Sequence, residues 1–159
     1  MLISPTFLSF KMSFLLTPLR WNHYAACRDV FEESFDISEH ASFPTEWRSR
    51  CEKRSVVALY RGIVVGFALV DTAHKIQYIN IRPDFQNAKL GSKLLAYVLR
   101  ACADDRSIWL VTADDMRLVK WYGRHGFQIT HTYKDDDGEF MGADMVRRQR
   151  CRSQTKGTR

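Results

Sequence analysis

The tightest constraint on this chain lies between Tyr78 and Leu95, where a strand has to become a helix through a short polar turn. Ile76, Tyr78, Ile79 and Ile81 are β-formers in close succession, and Pro83 ends them. Leu90, Leu94, Leu95, Val98, Leu99 and Cys102 then recur at helical spacing on one face. Gln86, Asn87 and Gly91 fall in the turn. A junction of this kind leaves the first N–H groups of the helix unpaired and facing outward. Together with the positive end of the helix dipole they form an anion site, to which Ser92 adds a hydroxyl. Many α/β proteins carry a strand, a loop and a helix with one Gly, so the pattern points to an anion without choosing one.

The segment Ile81-Arg82-Pro83-Asp84-Phe85-Gln86-Asn87-Ala88-Lys89-Leu90-Gly91-Ser92 resembles the coenzyme A loop of the GNAT superfamily of N-acetyltransferases. That loop reads Gln or Arg, two residues, Gly, any residue, then Gly or Ala. Gln86 and Gly91 match it, and Lys89 stands where the family usually has its first Gly. Lys89 either crowds the pyrophosphate or pairs with a phosphate. Downstream, Asp115, Leu118, Tyr122, Gly126 and Phe127 follow the family's Asn-x-x-Ala-x-x-x-Tyr-x-x-x-Gly-Phe spacing, with Asp for Asn and Leu for Ala. The two patterns in this order are far more specific than either alone, and with the surrounding strands the resemblance spans residues 14 to 147.

The length of 159 residues suits one domain, and an apolar content of 45% with 13% aromatic is ordinary for a globular chain. Cys27, Cys51, Cys102 and Cys151 show no CxxC or metal spacing and read as reduced thiols of a cytoplasmic protein. No apolar run is long enough for a membrane helix. Residues 1–12 read as a disordered leader, not a signal peptide, with Met12 an alternative start. The net charge of +6 is carried by Arg147, Arg148, Arg150, Arg152, Lys156 and Arg159; the preceding 146 residues hold 18 basic and 18 acidic side chains. The domain is therefore placed at 13–147, followed by a basic tail, 148–159. A solvated, disordered end is the commoner meaning of such a tail, and nucleic-acid binding through it is the sharper one.

Along the chain, Phe14 to Arg20 reads as a strand with Pro18 at an edge. Asn22 reads as a cap for a helix through Phe35, and Pro44 opens a short second helix. Ser55–Tyr60 and Ile63–Val70 are strands joined by a two-residue turn, Arg61-Gly62. Ile108–Ala113 is a further strand, and Leu118, Trp121, Tyr122 and His125 mark a helix that Gly126-Phe127 stops. Gln128–Tyr133 and Glu139–Val146 flank the turn residues Asp135 to Gly138. The order β-α-α-β-β-β-α-β-α-β-β is that of the GNAT fold. The resemblance thus implies an α/β architecture: a mixed central sheet whose two parallel strands splay apart, flanked by helices.

The resemblance also implies a chemistry. Acetyl-CoA, as co-substrate, would be held by Gln86, Asn87, Ala88, Lys89, Leu90, Gly91 and Ser92, with Asp115 from the second pattern. Unpaired backbone groups of Ile79, Asn80 and Ile81 would bind the pantetheine arm and polarise the thioester carbonyl. Tyr122 matches the proton donor to the leaving thiolate; a phenol with a pKa near ~10 stays protonated at neutral pH. On residues alone, Tyr122 reads first as a core tyrosine. His125 reads as a positive charge at a helix end, and Lys75 occupies the place of a glutamate base in histone-acetylating members. No general base stands out; Tyr78 and Asn80 are polar groups near the reaction. The expected activity is transfer of acetyl to a small-molecule or peptide amine, without a metal or covalent intermediate. The acidic runs Asp29–Glu46 and Asp135–Glu139 favour a cationic acceptor such as a polyamine, an aminoglycoside or a lysine-bearing peptide. Two alternatives stay open, an acyl-CoA-binding sensor that has lost catalysis and a nucleic-acid binder using the tail, as does a homodimer.

Overall fold

The computed structural model describes residues 12–35, 41–103 and 107–149. The leader before Met12 and most of the basic tail lie outside them. Seven strands and four helices follow in the expected order: β1 Leu15–Pro18, α1 Tyr24–Glu32, α2 Phe43–Arg48, β2 Val56–Tyr60, β3 Ile63–Val70, β4 Ile76–Ile81, α3 Leu90–Ala101, β5 Ser107–Thr112, α4 Met116–Arg124, β6 Gln128–Lys134 and β7 Phe140–Arg148. Two antiparallel sheets result, β1-β2-β3-β4 and β5-β7-β6. Between them β4 and β5 run parallel and touch at one bridge, Lys75 with Trp109. There the Trp109 N–H donates to the His74 carbonyl at 3.2 Å, and its indole N–H donates to the Ala73 carbonyl at 3.0 Å. Past that point no ladder joins the two strands among the described residues. This is the expected mixed sheet with splayed parallel strands.

Two apolar layers hold the sheets. One face packs Val56, Ala58, Ala68, Val70, Leu110 and Met145 against Leu94, Leu95 and Val98 of α3 and Val119 and Tyr122 of α4. The other packs Val57, Phe67 and Leu69 against Cys27, Val30, Phe31, Phe43 and Trp47 of α1 and α2. Pro18 falls on an edge strand, where its missing N–H costs no ladder bond. The β2–β3 hairpin takes positive φ at both Arg61 (50°) and Gly62 (79°), the twist such a two-residue turn needs. No helix among the described residues is long and apolar enough to cross a membrane.

Three local expectations change. Asn22 does not cap α1: it lies inside a 3-10 turn, Trp21–His23, whose start is closed by the Arg20 N–H donating to His23 Nδ1 at 3.0 Å. The helix itself stops at Glu32, short of Phe35. β7 runs through Arg148, one residue past the expected end of the domain, and within it the Arg147 guanidinium donates to the His125 carbonyl at 3.0 Å and closes the end of α4.

Gly142 packs against β5 with no room for a side chain. It sits at φ 147°, and an added Cβ would collide with the Thr112 carbonyl oxygen. Gly142→Ala should therefore lower the unfolding free energy by about 2–3 kcal/mol, read as a reduced midpoint in urea at unchanged slope.

Candidate active site

The gap between β4 and β5 begins with a bulge. Val70 pairs with Ile76 but Leu69 pairs with Tyr78, so Gln77 is an extra residue on β4. The nearly buried Asp71 carboxylate holds it there. It accepts from the Ala73 and Lys75 N–H groups at 2.8 and 3.0 Å and from Gln77 Nε2 at 2.8 Å. Beyond the bulge, the Arg82 N–H donates to the Val65 carbonyl at 2.8 Å. Strand alternation then turns the backbone of Tyr78 and Asn80 toward β3 and that of Ile79 and Ile81 toward the gap. The expectation of three consecutive open residues is thus corrected. Asn80 is opposite Phe67 in the β3–β4 ladder, and the Ile81 carbonyl already accepts from Gln86 Nε2 at 3.2 Å.

The turn after β4 passes through a 3-10 segment, Pro83–Phe85, and enters α3 at Lys89. Lys89 adopts a left-handed conformation, φ 57° and ψ 22°. The loop geometry is therefore one that suits Gly, and Lys89 occupies it at a steric cost. The first intrahelical bond runs from the Lys93 N–H to the Lys89 carbonyl at 3.3 Å. The N–H groups of Leu90, Gly91 and Ser92 precede it, a first turn with donors to spare.

A cleft of about 300 Å³ opens at this point, lined by Ile79, Ile81, Gln86, Lys89, Gly91, Ser92, Leu118, Trp121 and Tyr122. It brings together seven of the residues picked from the sequence. Leu90 is buried in the core instead, and Asn80 is only 5% exposed; Asn87, Ala88 and Asp115 lie outside the lining. In the sequence Leu118 is a motif position and Trp121 only part of a helix face, and their place in the cleft wall comes from how α4 packs. Asp115 caps that helix by accepting from the Arg117 N–H at 2.8 Å, a task Asp and Asn side chains share. The Arg117 side chain, hydrogen-bonded to it, also holds the Asp115 carboxyl below its usual range.

Tyr122 sits where α4 meets the core, its ring edge-on to Phe127 at 5.5 Å and to Trp121 at 4.8 Å. Burial pushes its phenol up to about 12. Gly126 ends the helix at φ 88° and the Phe127 N–H returns to the Tyr122 carbonyl at 3.2 Å, the expected stop. His125 departs from expectation. Burial first, then the Arg124 and Arg147 charges, hold its imidazole below the ordinary value, which weakens the expected helix-end charge. Lys75 lies over the Trp109 ring at 5.1 Å, at the root of the gap. Among the described residues no group of three or more His, Cys, Asp or Glu is placed to hold a metal ion.

Known proteins share this fold. The family described as acetyltransferase (GNAT) matches residues 23–127. The fold superposes on the ribosomal-protein-S18-alanine N-acetyltransferase of Escherichia coli with a TM-score of 0.74 at 16% identity, covering 90% of this chain and 98% of that one. Ard1 of Thermoplasma volcanium gives 0.70 at 18% identity, with 87% and 99% covered. Naa50 of Arabidopsis thaliana, solved with the bisubstrate analogue CoA-Ac-MVNAL, gives 0.63 at 18% identity, with 85% and 98% covered. No curated protein sequence matches the chain.

Lys89→Gly should raise stability by about 0.5–1 kcal/mol, the left-handed penalty less the extra freedom of Gly in the unfolded chain, measured by thermal unfolding. If the ammonium pairs with a phosphate, the same change weakens coenzyme A severalfold and leaves phosphate-free pantetheine unaffected. Tighter coenzyme A binding would mean that the side chain crowds the loop.

Proposed function

The chain belongs to the GNAT family of acetyltransferases, and on that premise we propose that it moves the acetyl group of acetyl-CoA to a primary amine of a cationic acceptor. The reading rests on one observation: a buried phenol, Tyr122, lines the same cleft as the first turn of α3. Acetyl-CoA supplies the activated acetyl thioester, which the amine attacks directly in a ternary complex. The chain's residues do the rest. The Leu90, Gly91 and Ser92 amides suit a pyrophosphate, and Lys89 adds a charge beside them. The gap-facing amides of Ile79 and Ile81 orient the pantetheine arm and polarise the carbonyl. Tyr122 Oη, kept protonated by burial, gives its proton to the departing sulfur.

The acceptor class follows from charge, though from a narrower field than the sequence implies. Glu32 is paired with Arg28 at 2.7 Å and Glu33 with Arg82 at 2.6 Å. Asp135 fixes its own turn, accepting from the Asp137 and Glu139 N–H groups at 3.0 and 2.8 Å, and keeps its charge. Asp36 and Glu39 lie outside the described residues. Asp29 on α1 and Asp135, Asp136, Asp137 and Glu139 on the β6–β7 turn stay exposed, and these carboxylates would draw a polyamine, an aminoglycoside or a lysine-bearing peptide. The same reading places the enzyme in the cytoplasm, where free Cys27, Cys51 and Cys102 stay reduced.

Tyr122→Phe removes one hydroxyl and keeps the ring packing. It should lower kcat about 10²–10⁴-fold with acetyl-CoA affinity unchanged, measured by thiol release and isothermal titration. Wild-type turnover would mean that the thiolate leaves unaided. For the acceptor, KM should rise with ionic strength across spermidine, kanamycin and a lysine-bearing peptide; a KM flat in salt, or a preference for anionic amines, removes the cationic assignment.

A further inference from the structure

Asn80 is the polar side chain that the chemistry above leaves unused. It lies on β4 between Ile79 and Ile81, the two residues whose backbone faces the gap. The side chains of Ile79 and Ile81 pack with the α3–α4 layer. Tyr78, two residues before Asn80, packs with the α1–α2 layer, as does Phe67, opposite Asn80 on β3. The Asn80 carboxamide therefore stands on the side of the sheet away from the cofactor cleft. It is 5% exposed, and its Oδ1 is buried without a hydrogen-bond partner.

A buried amide oxygen with no donor costs stability, and native proteins hold few of them. Its position suggests what supplies the donor. With the α3–α4 face of the gap given to the cofactor, an amine has to reach the thioester from the other face, beside Asn80. From there Oδ1 can accept a hydrogen bond from an N–H of the amine, and the terminal torsion of Asn is broad enough to turn the amide toward it. We propose that Asn80 is the acceptor-binding residue that positions the attacking nitrogen against the carbonyl polarised by its two neighbours. The inference rests on the acetyl-transfer reading above and adds to it a hydrogen-bond acceptor on the amine side.

The test compares wild type with Asn80→Leu, which keeps the volume and removes the polar group. Spermidine, kanamycin and a lysine-bearing peptide serve as probes at saturating acetyl-CoA. We expect kcat/KM for the amine to fall about ten- to a hundredfold, the worth of a hydrogen bond to a charged partner. The rise in melting temperature caused by acetyl-CoA should stay that of wild type, and the melting temperature without ligand should hold or increase as the orphan is removed. Should the Leu variant fail to fold, Asn80→Ser carries the same comparison. An unchanged kcat/KM overturns the proposal and leaves Asn80 an idle buried amide. A parallel loss of the acetyl-CoA shift overturns it too, since Asn80 would then serve the cofactor side. A wild-type protein that binds acetyl-CoA yet acetylates none of the probes defeats the transfer reading itself, and this role with it.

Discussion

The parting of β4 from β5 is the constraint on which the rest of the site depends. A continuous ladder between these strands would leave neither a cleft nor open amides. One bridge, Lys75 with Trp109, ties the roots of the strands, and the bulge at Gln77 then re-aims β4. The Asp71 carboxylate fixes that bulge with three donors from the turn and from Gln77 itself. A structural carboxylate on the turn before β4 thus decides which backbone groups of Ile79 and Ile81 stand free several residues later.

Burial does double duty around Tyr122. The layer that packs α3 and α4 on the sheet supplies much of the fold's apolar contact, and it also removes the phenol from water. Desolvation disfavours the phenolate, which keeps the proton on the oxygen. Burial is the cause of this shift, with no charged neighbour behind it. Strain is accepted nearby for a comparable reason: Lys89 holds a left-handed turn so that α3 can present its first amides to the cleft.

Charge in this chain works mostly at short range. Arg82 joins Glu33 to the end of β4 and donates from its Nε to the Val64 carbonyl at 3.1 Å. Arg147 closes α4, and Arg117 clasps the cap of the same helix at 3.0 Å. These arginines position elements that border the site. Exposed carboxylates gather on the β6–β7 turn, at Asp135, Asp136, Asp137 and Glu139.

Much of this was legible in the sequence because it is decided within a few residues. The β4-turn-α3 junction, the Arg61-Gly62 hairpin, the Gly126-Phe127 stop and the element order follow from local propensity and periodicity, and the spacing around Gln86, Gly91 and Tyr122 carried the family. Other features depend on partners far apart in the chain. That Asn80 faces β3 while its neighbours face the gap depends on a one-residue bulge, which no pattern of apolar residues records. The Glu33–Arg82 pair spans 49 positions, and the bond from Arg147 to the His125 carbonyl spans 22. Local sequence determined the elements and the chemistry they carry; only the tertiary structure decided which groups stay free to use it, because a hydrogen bond or an ion pair is spent wherever folding brings two partners together.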